Sequence, residues 1–109
     1  MELFAHWETL PVIHLPNMNR KIYHGEKVMI VRNEVFPNEI LPSHSHPHEQ
    51  LFVVESGECD VTTGEEVRHL TAGGLAWFPS DVPHAVTNTL DAPLVVYDIF
   101  SPIREDFLK

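Results

Sequence analysis

The sequence of 109 residues predicts an all-β sandwich or barrel. Short β-branched and aromatic runs recur at intervals of about 8 to 12 residues. Nine prolines and five glycines punctuate them along the whole length. No stretch long enough for a stable helix carries the 3.6-residue apolar period.

The elements run in order. Residues 27–35 are rich in β-branched side chains, and residues 51–55 (Leu-Phe-Val-Val-Glu) carry a second such run. Ser56-Gly57-Glu58 is a tight turn, which makes 51–55 and 59–63 a hairpin. Gly64-Glu65-Glu66 turns the chain into 67–70. Residues 75–78, 85–88 and 94–100 come next, each bounded by Pro, Gly, Asp or Asn. Only residues 103–108 offer a short terminal helical turn. The whole of 1–109 reads as one domain, large enough to bury a core without disulfides.

Composition excludes several functions. Sixteen acidic residues against seven Lys and Arg give a net charge of −9. Nucleic acid and anionic membranes both need a basic footprint, so neither is an expected partner. No apolar run approaches the roughly 18 residues of a membrane span, and the N-terminus has no secretory pattern. Cys59 is the single cysteine, so no intrachain disulfide forms and a cytoplasmic location is expected.

Histidine is the unusual component: eight residues, more than Lys and Arg together. His44-Ser45-His46 is an H-x-H pair, and on an extended segment both imidazoles share one face. Two neutral imidazoles suit Zn, Ni, Fe, Mn or Cu. With this many histidines such a pair also arises by chance. Residues further along the chain make the pair more informative. Gln50, the only glutamine, keeps its parity and offers a side-chain oxygen. Gly57 stands where the strand must turn, and His84 opens a strand after a Pro-framed turn.

These residues resemble the two motifs of the cupins, small double-stranded β-helix (jelly-roll) barrels of two antiparallel sheets around one metal. Asn38, His44, His46, Gln50 and Gly57 fit the first motif; Gly73, Pro79, Asp81, His84 and Asn88 fit the second. Asn38 and Asp81 replace glycines, and both residue types tolerate the left-handed conformation such turns use. The resemblance implies one divalent ion (Ni, Zn, Fe or Mn) on His44, His46, Gln50 and His84. His48 comes after Pro47 and reads as a solvent-facing or outer neighbour. His6, His14, His24 and His69 read as surface or packing residues.

The tail narrows the choice. Leu94, Val96, Asp98 and Phe100 share one strand parity, so Asp98 is expected to be buried, and a buried carboxylate needs a partner or a job. A structural pair with Arg104 is one explanation; the other structural alternative leaves Arg104 exposed beside Glu105 and Asp106. The run from His44 to Gln50 and the tail motif 98–108 also resemble a subgroup of cupins that linearise 4,5-unsaturated monouronates from pectin or alginate lyases. That resemblance covers about residues 20–108 and implies a core of about 20–101. It implies roles for Asp98 (proton transfer), Arg104 (gripping the substrate carboxylate) and Phe100 (packing on the sugar). It also implies a homodimer, to which Phe4, Trp7, Leu10 and Ile13 could offer apolar contacts. A cupin oxidoreductase and a non-catalytic sugar-binding module are the alternatives.

Overall fold

The computed structural model describes residues 2–109. Ten strands form two antiparallel sheets, and the only helical element among the described residues is a C-terminal 3₁₀ turn, Glu105–Leu108. The strands are β1 (Ile13–His14), β2 (Met18–His24), β3 (Met29–Val35), β4 (Ile40–His44), β5 (Glu49–Ser56), β6 (Glu58–Thr63), β7 (Glu66–Thr71), β8 (Leu75–Phe78), β9 (His84–Asn88) and β10 (Leu94–Ser101). Six of them form one sheet in the order β1-β2-β3-β10-β5-β8; the other four run β4-β9-β6-β7. This is the expected double-sheeted jelly roll.

The strands read from the sequence lie within a residue or two of β3 and β5 to β10. Three were missed. β2 is polar (MNRKIYH) and lacks the β-branched run that marks the others. β1 has two residues. β4 contains Pro42, which argues against a strand, but β4 is an edge of its sheet, where a missing N–H costs no ladder bond. Asn38 and Asp81 adopt φ of 60° and 65°, so each turn keeps its left-handed residue without glycine. A Cβ at Gly57 (φ 93°) would also lie 3.2 Å from the Pro93 carbonyl oxygen.

The core lies between the sheets. Val35, Phe52, Val54, Cys59, Val61, Phe78, Val86, Leu94 and Val96 form its main body. Alternation does the sorting: β3 buries Met29, Val31, Asn33 and Val35, and β10 buries Leu94, Val96, Asp98 and Phe100 along one parity. Met29, Val31 and Phe100 form a second cluster, closed by Ile22, Ile103 and Phe107. Between the two clusters lies a cavity of about 300 Å³, walled by Val35, Phe52, Phe78 and Val96 on one side and by Phe100 and Phe107 on the other. Burial also pushes the Cys59 thiol up to about 12, which leaves it a protonated apolar filler.

Candidate metal centre and active site

Two imidazoles arrive by strand register. His44 on β4 stands opposite His84 on β9. Two pairs away, Leu41 faces Val86, so β4 uses three steps where β9 uses two. That extra residue is a bulge, and it turns His44 to the same inner side as Leu41, both of which line the cavity. The parity expected from an unbroken extended segment is therefore corrected. His44 ends β4, His46 lies in the connecting segment, and Gln50 belongs to β5 in the other sheet. The side chains still converge, by a bulge and a sheet change rather than by alternation.

His44, His46 and His84 place ligand-capable atoms within 4.8 Å of one another. Each ring is oriented through Nδ1, which lies 3.1 Å from the Pro42 carbonyl, 3.0 Å from that of His48 and 3.1 Å from that of Val82, respectively. A carbonyl only accepts, so each Nδ1 is assigned the proton, and each neutral ring keeps a lone pair on Nε2. His84 stacks on Phe78 with centroids 4.2 Å apart, and its Nε2 is buried with no partner among the described residues. Burial is the main cause that lowers its pKa to about 4. Burial and then the Arg104 charge lower that of His46.

The fit to a cation shows most clearly at His46. Gln50 donates from Nε2 to Asp98 Oδ1 at 2.7 Å, which fixes its amide and turns Oε1 toward His46 Nε2, 3.0 Å away. With the His46 proton on Nδ1, that contact sets two lone pairs against each other. A cation shared by both atoms removes the conflict. Three imidazole nitrogens and one amide oxygen are a donor set that first-row divalent metals accept.

Asp98 lies behind this set, buried, with Gln50 on Oδ1 and Asn33 Nδ2 on Oδ2 at 2.8 Å. Desolvation raises its pKa and the two amide bonds oppose the rise. Asn33 in turn accepts from Arg20 Nε at 3.0 Å. Register explains the line: Arg20 faces Asn33 across β2 and β3, and each further partner sits one diagonal step along β10 and β5. Asn33 and Arg20 were not singled out from the sequence. Asn33 could have been, because it interrupts the inward apolar set Met29, Val31, Val35.

Of the two structural alternatives for Arg104, the pair with Asp98 does not form. Arg104 instead makes a two-pronged contact with Asp106, Nε to Oδ1 at 3.0 Å and an η nitrogen to Oδ2 at 2.9 Å. Its guanidinium lies over Phe100 and Phe107, at 5.1 and 4.2 Å from the ring centroids. Phe100 packs edge-on to His46 with centroids 5.7 Å apart. His44, Gln50, His84, Asp98, Phe100 and Arg104 all line the one cavity.

The remaining histidines lie outside the cluster. His48 packs edge-on against His46 and supplies the carbonyl that orients it. His69 is held on the surface between Glu58 and Asp60. His6, His14 and His24 make local polar contacts near the N-terminal strands. Trp7 stacks on Tyr97 outside the larger sheet, whereas Phe4 is 89% exposed.

A jelly-roll barrel with an inward imidazole cluster at one end of its core defines a class of small barrels built around a candidate metal centre. Residues 32–100 match the Cupin domain family, and the chain belongs to it. Among solved structures, an RmlC-like cupin from Shewanella frigidimarina is 27% identical, with a TM-score of 0.91 over 98% of this chain and 96% of that one. KdgF from a Halomonas species is 26% identical, with a TM-score of 0.90 over 98% and 99% of the two chains. The curated H2HPP isomerase of Bacillus subtilis is 32% identical over 71 residues, which is 64% of this chain. The xanthan biosynthesis protein XanB of Xanthomonas campestris is 32% identical over 78 residues, or 71% of this chain. The chain spans 30% and 17% of the length of these two relatives. No helix is long and apolar enough to cross a membrane among the described residues.

Proposed function

We propose that this cupin is a metal-dependent enzyme that opens the ring of a 4,5-unsaturated monouronate and yields its linear keto form. The observation that carries the reading is the convergence of His44, Gln50, His84, Asp98, Phe100 and Arg104 on one cavity, with His46 clustered against His44 and His84. The likeness to KdgF over nearly the whole of both chains supports it, as does the resemblance of the tail motif to uronate-linearising cupins. In this reading one domain holds a single divalent ion on the three histidines and Gln50.

The reaction is an isomerisation, so no oxidant or reductant is needed. The anomeric hydroxyl loses its proton, the bond from C1 to the ring oxygen breaks, and an aldehyde forms at C1. The freed oxygen at C5 carries an enolate, and protonation at C4 makes the ketone. A bound divalent ion would supply Lewis acidity toward the substrate oxygens. Asp98 takes the hydroxyl proton and returns it to C4. Its amide donors occupy one lone pair on each oxygen, and each oxygen keeps a second. The desolvation that raises its pKa makes it a better base for taking that proton. Phe100 packs on the sugar and excludes water. Arg104 contributes positive charge at the mouth, where a net charge of −9 would otherwise oppose an anion.

The test is the absorbance of the conjugated double bond in 4,5-unsaturated galacturonate and in its alginate-derived counterpart. Metal-loaded protein should speed its loss, and chelated protein should not. No acceleration with any of several unsaturated uronates refutes the reading.

A further inference from the structure

The cavity holds two guanidinium groups, and they are in different states. Arg104 has its fork filled by Asp106, through Nε and one η nitrogen. Arg20, on β2, makes no ion pair among the described residues and lines the same cavity. Its Nε is committed to Asn33, and one η nitrogen lies 3.6 Å from the Met18 sulfur, a weak acceptor. Its guanidinium carbon stands 4.0 Å from the Phe107 ring centroid, on the same ring that Arg104 approaches to 4.2 Å. Arg20 is therefore fixed by a hydrogen bond, a ring contact and burial, with its η N–H groups largely unclaimed.

Two like charges on one aromatic ring repel, and only one has a carboxylate beside it. The nearest negative charge to Arg20 along its hydrogen bonds is Asp98, whose oxygens are taken by Asn33 and Gln50. Three imidazoles and an amide would leave a bound divalent ion uncompensated as well. Asp98 and Asp106 balance the two guanidiniums, so a bound divalent ion would leave the cavity with excess positive charge, and Arg20 is the guanidinium with no carboxylate in direct contact.

We propose that Arg20 is the seat of the substrate's carboxylate, and that Arg104, already paired with Asp106, is a positioning residue that holds the C-terminal turn over the cavity. This rests on the uronate reading and reassigns a role that the family resemblance implied for Arg104. The preformed, weakly hydrated guanidinium of Arg20 can take a carboxylate by charge-assisted N–H bonds without breaking an existing ion pair. Seating the anion on Arg104 would place a second carboxylate on a guanidinium whose charge Asp106 already offsets.

Two measurements on metal-loaded protein test this. One is calorimetric binding of D-galacturonate, which lacks the double bond, against neutral D-galactose. The other is steady-state turnover of 4,5-unsaturated galacturonate. The variants are Arg20→Gln, Arg20→Lys and Arg104→Gln, each checked for metal content and thermal midpoint. We expect Arg20→Gln to weaken galacturonate binding at least tenfold and to raise KM more than it lowers kcat. Arg20→Lys should recover part of the loss, since it keeps the charge but not the fork. Arg104→Gln should cost less affinity. A fall in kcat at unchanged KM would mean that Arg20 acts only through Asn33 and Asp98, and overturns the proposal. So does galacturonate binding that is insensitive to Arg20, or wild-type protein that binds galacturonate no better than galactose. Arg20-dependent galacturonate binding without turnover of any of several unsaturated uronates leaves the carboxylate seat standing and sinks the uronate-linearising reading instead.

Discussion

Replacing Gln50 with Glu isolates what this glutamine does. Its Nε2 donates to Asp98 Oδ1 at 2.7 Å, and a glutamate has no hydrogen to donate there. Two ionised carboxylates about 4 Å apart repel by about 4 kcal/mol at an effective dielectric of about 20. Holding a proton at pH 7 on a group with an ordinary pKa of about 4 costs about 4 kcal/mol at 1.36 kcal/mol per unit. Both routes cost about the same, so Gln50→Glu should destabilise the metal-free fold by about 3–4 kcal/mol at pH 7. The sign with pH comes from proton counting. The folded pair retains a proton that the unfolded chain has released, so stability falls as pH rises, by up to about 1.4 kcal/mol per unit. The deficit should shrink to about 1 kcal/mol near pH 5. Urea denaturation of metal-free wild type and variant at pH 5, 6 and 7 measures it. A deficit that is the same at pH 5 and pH 7 refutes the reasoning.

Three further outcomes are expected. Asp98→Asn cannot accept from both amides, so it should lose about 1.5–3 kcal/mol of stability and at least about a hundredfold in kcat while still binding metal; turnover within tenfold of wild type would remove Asp98 from the chemistry. In the metal-free protein His84 stays neutral down to about 4, whereas the unfolded chain takes up that proton near 6.5. Stability should therefore fall as pH drops through that window, and thermal melts should show a shallower fall in His84→Gln; an unchanged slope counts against it. Phe78→Ala removes a fully buried ring that also backs His84, so denaturation should show a loss of about 3–5 kcal/mol and a metal titration should show weaker binding; intact metal affinity would show that the stack does not position the imidazole.

Much of this was legible because alternation is a local property. The inward set of β10, including buried Asp98, comes from period-2 parity in an apolar run. Asn38 and Asp81 could be read as turn residues because their side chains tolerate the left-handed conformation the fold needs there. Features that could not be read depend on partners distant in sequence. The strand status of β4 depends on its being an edge, which makes Pro42 harmless. The aim of His44 depends on a bulge against β9, and a bulge is set by the pairing of two strands rather than by either one.

An all-β barrel with a histidine-rich centre and an acidic residue in its last strand could be read from the chain alone, because periodicity, turn chemistry and residue type are written locally. Which charge meets which emerged only with the packed sheets. Folding ties Asp98 to Gln50 and Asn33 and leaves Arg20 in the cavity without a carboxylate in contact. Long polar side chains choose partners by proximity and burial across strands from four parts of the chain, and no local pattern records that choice.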